Sequence, residues 1–227
     1  MDDDGQIDNE FVHDGIYCLG RAATALSERM DRDAFYDAAI YYVFGVEKLC
    51  RAIVHDVNPV FLLENAGFDN AICAIHQDRL TERARKKVDS DVKRSFIPFQ
   101  PTMIRAAKFS EAVEANMGSF TELANIRGAL AHRSISELNF ERSSEFLLRM
   151  FVPTVELFAE AIVFEVMECF ETEAQYAALK KSAIIYWHRK TTANSSRTPW
   201  RGIWLSGTPG KATRRRYRKL FATRRHT

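Results

Sequence analysis

At 227 residues the chain is long enough to bury a core of its own, and 46% hydrophobic with 27% charged residues are the proportions of an ordinary globular protein. The acidic start, Met1-Asp2-Asp3-Asp4, lacks the cations and apolar stretch of a secretory leader, and the apolar run Ala161-Ile162-Val163-Phe164 is cut off by Glu165. These features predict a cytoplasmic protein with no membrane partner. The net charge of +2 conceals an asymmetry: residues 188 to 227 hold 12 Lys and Arg and no acid, which leaves 20 bases against 30 acids in residues 1 to 187. A basic end on an acidic body points to a nucleic-acid contact, a membrane contact or an arm docked on an acidic surface.

In chain order, residues 1–9 form an acidic N-terminal segment. Val12, Ile16, Leu19, Ala23, Leu26 and Met30 repeat at three and four, which predicts a helix over about residues 10 to 30. Phe35, Ala39, Tyr42, Val46, Leu49 and Ile53 predict a second one, ended by Asn58-Pro59, and the two are expected to pair as an antiparallel hairpin. A short helix near residues 69 to 76 and a charged one over 80 to 94 follow, with Phe96-Ile97-Pro98-Phe99-Gln100-Pro101 as a stop. A long helix from about Met103 to Ala131 comes next, then an apolar one from Ser143 to Phe170, bent at Pro153. A last helix is expected over Thr172 to Lys190. No strand pattern of useful length appears, so the predicted fold is all-α, an antiparallel helical bundle over residues 10–190 with a basic C-terminal tail over 191–227.

The long helix carries the chemistry. In Glu122-Leu-Ala-Asn-Ile-Arg127-Gly-Ala-Leu-Ala-His132, an arginine and a histidine lie five positions apart at the end of an apolar run of Phe120, Leu123, Ile126 and Leu130. Small residues, Gly128, Ala129 and Ala131, separate the two polar ones. Imidazole exchanges protons near neutrality and guanidinium is a permanent cation matched to phosphate oxygens.

This context resembles the HEPN family (higher eukaryotes and prokaryotes nucleotide-binding), an all-helical superfamily with an Arg-x4-6-His signature near the end of a long helix. The resemblance covers about residues 10 to 170 and implies Arg127 and His132 as the catalytic pair. It further implies a homodimer whose signatures face one another, RNA as substrate, and cleavage without metal or other cofactor that leaves a 2′,3′-cyclic phosphate. A toxin or antiviral-defence role, with an antitoxin or regulatory protein as a further partner, goes with the family. Gly128 departs from the polar residue that follows the arginine in many nuclease members, and Asn125 and Ser134 are the residues placed to substitute. A catalytically inactive HEPN-like module that binds RNA or another protein is the alternative.

Each residue has a structural reading as well. Arg127 is suited to pair across the bundle with Glu47, the acid midway along the second helix. His132 suits a helix C-terminus, where the macrodipole favours a cation. On a regular helix the two positions stand about 140° apart, so they converge only if the helix ends or distorts. Ala124, Gly128 and His132 align as a small-residue groove. Arg83, Arg85, Lys86 and Lys87 read as a solvated face or a secondary RNA track.

In the tail, Arg214, Arg215, Arg216, Arg218, Lys219, Arg224 and Arg225 are suited to phosphates and Tyr217 and Phe221 to base stacking, against the alternative of an extension folded on the acidic N-terminus. Trp200, Ile203, Trp204 and Leu205 suggest that part of the linker docks on an apolar surface. The four cysteines include no Cys-x-x-Cys and read as free thiols. Cys50, His55, Cys73 and His76 are the one set that a zinc reading would use.

Overall fold

A computed structural model of the chain describes residues 9–28, 31–64, 71, 96–132 and 139–193. Among these the fold is all-α: α1 (Glu10–Ser27), α2 (Arg32–Val57), α3 (Phe99–Ala107), α4 (Glu111–Ala115), α5 (Met117–His132), α6 (Phe140–Ile162) and α7 (Glu173–Ala193). Two 3-10 turns, Pro59–Leu62 and Val166–Cys169, follow α2 and α6. Among the described residues the single extended feature is an isolated antiparallel bridge between Leu63 and Phe96. No helix among the described residues is long and apolar enough to cross a membrane.

The first two helices begin where side chains satisfy their orphan N–H groups. Asn9 accepts from the amides of Phe11 and Val12, and Asp31 from those of Asp33 and Ala34. Asn58 ends α2, and its side chain then caps the 3-10 turn by accepting from Val60 N–H. The two helices form the expected antiparallel hairpin, since their partner numbers run in opposite directions. The His55 ring lies against Phe11, Lys48 pairs with Asp14 at 2.5 Å, and Arg21 stands over Tyr41. At the crossing Gly15 faces Gly45: a Cβ on Gly45 would meet Leu19 Cδ2 at 2.8 Å and the Gly15 carbonyl oxygen at 3.2 Å. The close approach of the backbones requires both glycines.

α2 is the hub and packs against α1, α3, α5 and α6. Its buried residues Phe35, Tyr42, Val46, Leu49 and Ile53 join Phe120, Leu123 and Ile126 of α5 and Phe151, Val155 and Phe158 of α6 in one core. The Tyr42 hydroxyl donates to the Met150 carbonyl at 2.9 Å and lies 2.6 Å from Thr154 Oγ1. That polar contact ties α2 to the turn of α6 around Pro153, where proline supplies no backbone donor.

Several helix boundaries differ from the sequence expectation: α1 ends at Ser27, α3 begins at Phe99 inside the expected stop, and α6 begins at Phe140. The long helix over 103 to 131 is three helices, because Ser110 caps a new one by accepting from Val113 N–H and the Asn116 amide donates to the Ala112 carbonyl at 2.8 Å. The apolar helix expected to reach Phe170 stops at Ile162. Val163 takes φ 66°, the left-handed conformation usually given to glycine, and its N–H returns to the Ala159 carbonyl. Glu165 and Glu168 then cap the 3-10 turn reciprocally. The last helix is found close to where it is expected. The short helix near 69 to 76 and the charged helix over 80 to 94 lie outside the described residues, apart from helical Ala71.

The glycine pair makes a prediction with its own control. Gly45→Ala lowers stability by about 1 kcal/mol or more in urea unfolding, since overpacking outweighs the gain in helix propensity. Gly118→Ala, whose Cβ meets nothing within 4 Å, raises it by about 0.5–1 kcal/mol.

Candidate functional site

Where α2 meets α5 and the segment 96–99, the fold buries a carboxylate. Glu47 is 9% exposed, on the same side of α2 as the core residues Val43 and Val46. An isolated charge in that position is costly, and the surrounding residues show how it is offset. Glu47 Oε1 accepts from Arg51 Nη2 at 2.6 Å, one helical turn on, and the same Arg51 nitrogen reaches the Ile97 carbonyl at 3.3 Å. Arg51 also stands over the Phe96 ring at 5.4 Å.

The second carboxylate oxygen faces α5. Arg127 Nη2 lies 3.7 Å from Glu47 Oε2, an ion pair longer than a hydrogen bond, and that oxygen is buried with no hydrogen-bond partner. The Arg127 guanidinium carbon is 5.9 Å from the centroid of the Phe44 ring and 6.0 Å from that of Phe99. Two guanidinium groups thus share one carboxylate, so the cluster holds a surplus positive charge. That surplus is on the outer member: the Arg127 side chain is 38% exposed and that of Arg51 16%. A cation held on aromatic faces, open on one side and only partly neutralised, is suited to receive an anion.

The structural pairing of Arg127 with Glu47 is therefore present. α5 is helical through His132, so the backbone positions of Arg127 and His132 stand about 140° apart around one axis and do not share a face. Asn125 is exposed, and Gly128 is half-buried with nothing within 4 Å of a Cβ built on it, so the groove along Ala124 and Gly128 is open there. Ser134 lies outside the described residues, as do the tail residues 194 to 227 and Arg83, Arg85, Lys86 and Lys87.

Arg51, Phe44 and Phe99 were not singled out by the sequence. For Arg51 a signal exists, since Glu47 and Arg51 are spaced i and i+4 on one helix. Phe99 belongs to a segment read only as a helix stop. Phe44 interrupts the α2 core pattern, and an apolar residue off the pattern is the trace it leaves.

The zinc reading finds no support among the described residues, where no group of three or more His, Cys, Asp and Glu can hold a metal ion. Cys73 and His76 lie outside them. Cys50 is fully buried, and desolvation and the nearby Glu47 charge push its thiol pKa well up. His55 packs edge to face on Phe11 at 5.6 Å. Burial lowers its pKa below the ordinary 6.5, against the opposing charges of Glu10 and Asp56.

No family model matches the chain, and neither does any curated protein or solved structure.

The His55 environment sets a pH dependence. Because its folded-state pKa lies below 6.5, the unfolded chain takes up the proton first, so its share of the stability is complete above that pH and declines as pH falls through the folded pKa. Urea midpoints measured between about pH 7 and about pH 5 are expected to fall in the wild type and to fall less in His55→Gln.

Proposed function

We propose that the protein is a HEPN-like, metal-independent endoribonuclease of the toxin or antiviral-defence kind, acting as a homodimer. The observation that carries this reading is the surplus charge of the Glu47, Arg51 and Arg127 cluster on the exposed side of Arg127, five residues before His132 on the same helix. A phosphodiester drawn to Arg127 would have the charge of its pentacoordinate state offset by a guanidinium that Glu47 already orients.

Within one α5, Arg127 and His132 lie on different faces. A second copy that brings its own signature across a shared cleft resolves this, and it supplies both proton-transfer groups. One His132 takes the proton from the ribose 2′-OH as that oxygen bonds to phosphorus. His132 of the second copy gives a proton to the 5′-oxygen as its bond to phosphorus breaks. The products are a 2′,3′-cyclic phosphate and a 5′-hydroxyl, and DNA, without the 2′-OH, is not cut.

The open space at Gly128 favours a second reading, a catalytically silent HEPN-like module that binds RNA or a regulatory protein such as an antitoxin. There the family's polar residue after the arginine is missing and nothing fills its place among the described residues.

Incubation of the protein with labelled single-stranded RNA in EDTA separates the two. The expected result is cleavage to cyclic-phosphate ends by the wild type and a loss of about a hundredfold or more in His132→Ala and Arg127→Ala, with folding retained in both. Binding without cleavage selects the silent module, and equal cleavage by all three proteins removes both residues from the reaction.

A further inference from the structure

We infer that Phe44 is a stacking platform for a nucleobase of single-stranded RNA, set beside Arg127 so that one nucleotide is held by its base and its phosphate together. The inference rests on the proposed reading in one respect, that the RNA backbone comes to Arg127.

α2 carries aromatic residues on its exposed side as well as in the core. Phe35 and Tyr42 are 1% exposed, whereas Tyr36 and Phe44 are each 39% exposed. Exposure of one aromatic is ordinary by itself. Phe61, another exposed phenylalanine, has a partner, since its ring stacks on Phe109 at 5.8 Å and 11°. Phe44 has no ring partner among the described residues; its aromatic contact is the Arg127 guanidinium at 5.9 Å.

That contact gives the residue its place. A cation near an aromatic ring and a phosphate-binding guanidinium at that range from a stacking surface are the two halves of a single-strand nucleotide site. The separation is one that a nucleotide spans between its base and its own phosphate. Phe99, 2% exposed and 6.0 Å from the same guanidinium, backs Arg127 from the core, and Glu47 limits its movement. The arginine is thereby braced while the ring of Phe44 keeps exposed surface. A neutral ring reads no base edge, so the site favours single strands without choosing a sequence.

The test uses the full chain and 2′-O-methyl RNA, which the proposed chemistry cannot cut. Binding of this single strand and of an abasic ribose-phosphate oligomer of equal length is measured in EDTA at raised salt, which weakens phosphate contacts more than stacking. Wild type, Phe44→Ala and Phe44→Trp are compared, with thermal melts and solution mass alongside. Stacking predicts that Phe44→Ala weakens RNA binding about five- to a hundredfold, leaves the abasic oligomer and the solution mass unchanged, and that Phe44→Trp binds RNA at least as well as wild type. The proposal is overturned if Phe44→Ala binds RNA as the wild type does, if both ligands are lost equally, or if the loss accompanies a change of oligomeric state, which makes Phe44 an interface residue. Failure of the nuclease reading looks different: wild type then leaves unmodified RNA intact while the Phe44→Ala effect on binding persists.

Discussion

A carboxylate buried between two arginines is the constraint around which this bundle is arranged. Glu47 sits on the hub helix among residues that exclude water, and a charge in that position persists only with cations beside it. Arg51 meets it from the same helix, and Arg127 meets it from α5. The second pairing ties α2 to α5, and the first draws in the segment 96–99 through the Ile97 carbonyl. Three parts of the chain distant in sequence thus meet around one carboxylate and its two arginines. Loss of the carboxylate takes the anionic partner from Arg51, whose Nε is buried without a hydrogen bond, and leaves Arg127 with its contacts to the Phe44 and Phe99 rings.

The rest of the hub explains why the position of Arg127 is defined. Gly15 and Gly45 let α1 and α2 approach closely, and Tyr42 fastens α2 to α6 through Met150 and Thr154. With α2 held on both sides, Phe44 and Glu47 are fixed relative to α5. The aromatic and anionic neighbours of Arg127 are thus set by apolar packing elsewhere, and the exposed part of its guanidinium is where the local charge remains unbalanced. This is the link from fold to the proposed chemistry: the core sets the place, and the charge excess sets what can bind there.

The hairpin was legible because α1 and α2 carry long, regular apolar patterns and α2 ends at an unambiguous signal, Asn58-Pro59; the place of α2 as the hub was not, since it depends on which helices pack against it. The Glu47 pairing with Arg127 was also legible, since a lone acid midway along a core helix calls for a cation. What the pattern did not reveal are features decided by single polar side chains. Ser110 and Asn116 break the expected long helix by local hydrogen bonds that leave its apolar spacing intact. The end of α6 at Val163 is set by a left-handed residue that sequence would assign to glycine, so the apolar run masks it. The role of Phe44 depends on tertiary contact with α5 and is invisible in a helical wheel of α2 alone.

The most direct measurement of the central claim is a double-mutant cycle on stability with Glu47→Gln, Arg127→Met and the pair together. The account predicts that the two losses are not additive and that the coupling is about 1 kcal/mol, reduced from a fully buried pair by the partial exposure of Arg127. Additivity within about 0.3 kcal/mol would contradict it, because the carboxylate would then hold Arg51 alone and Arg127 would owe its position to other contacts.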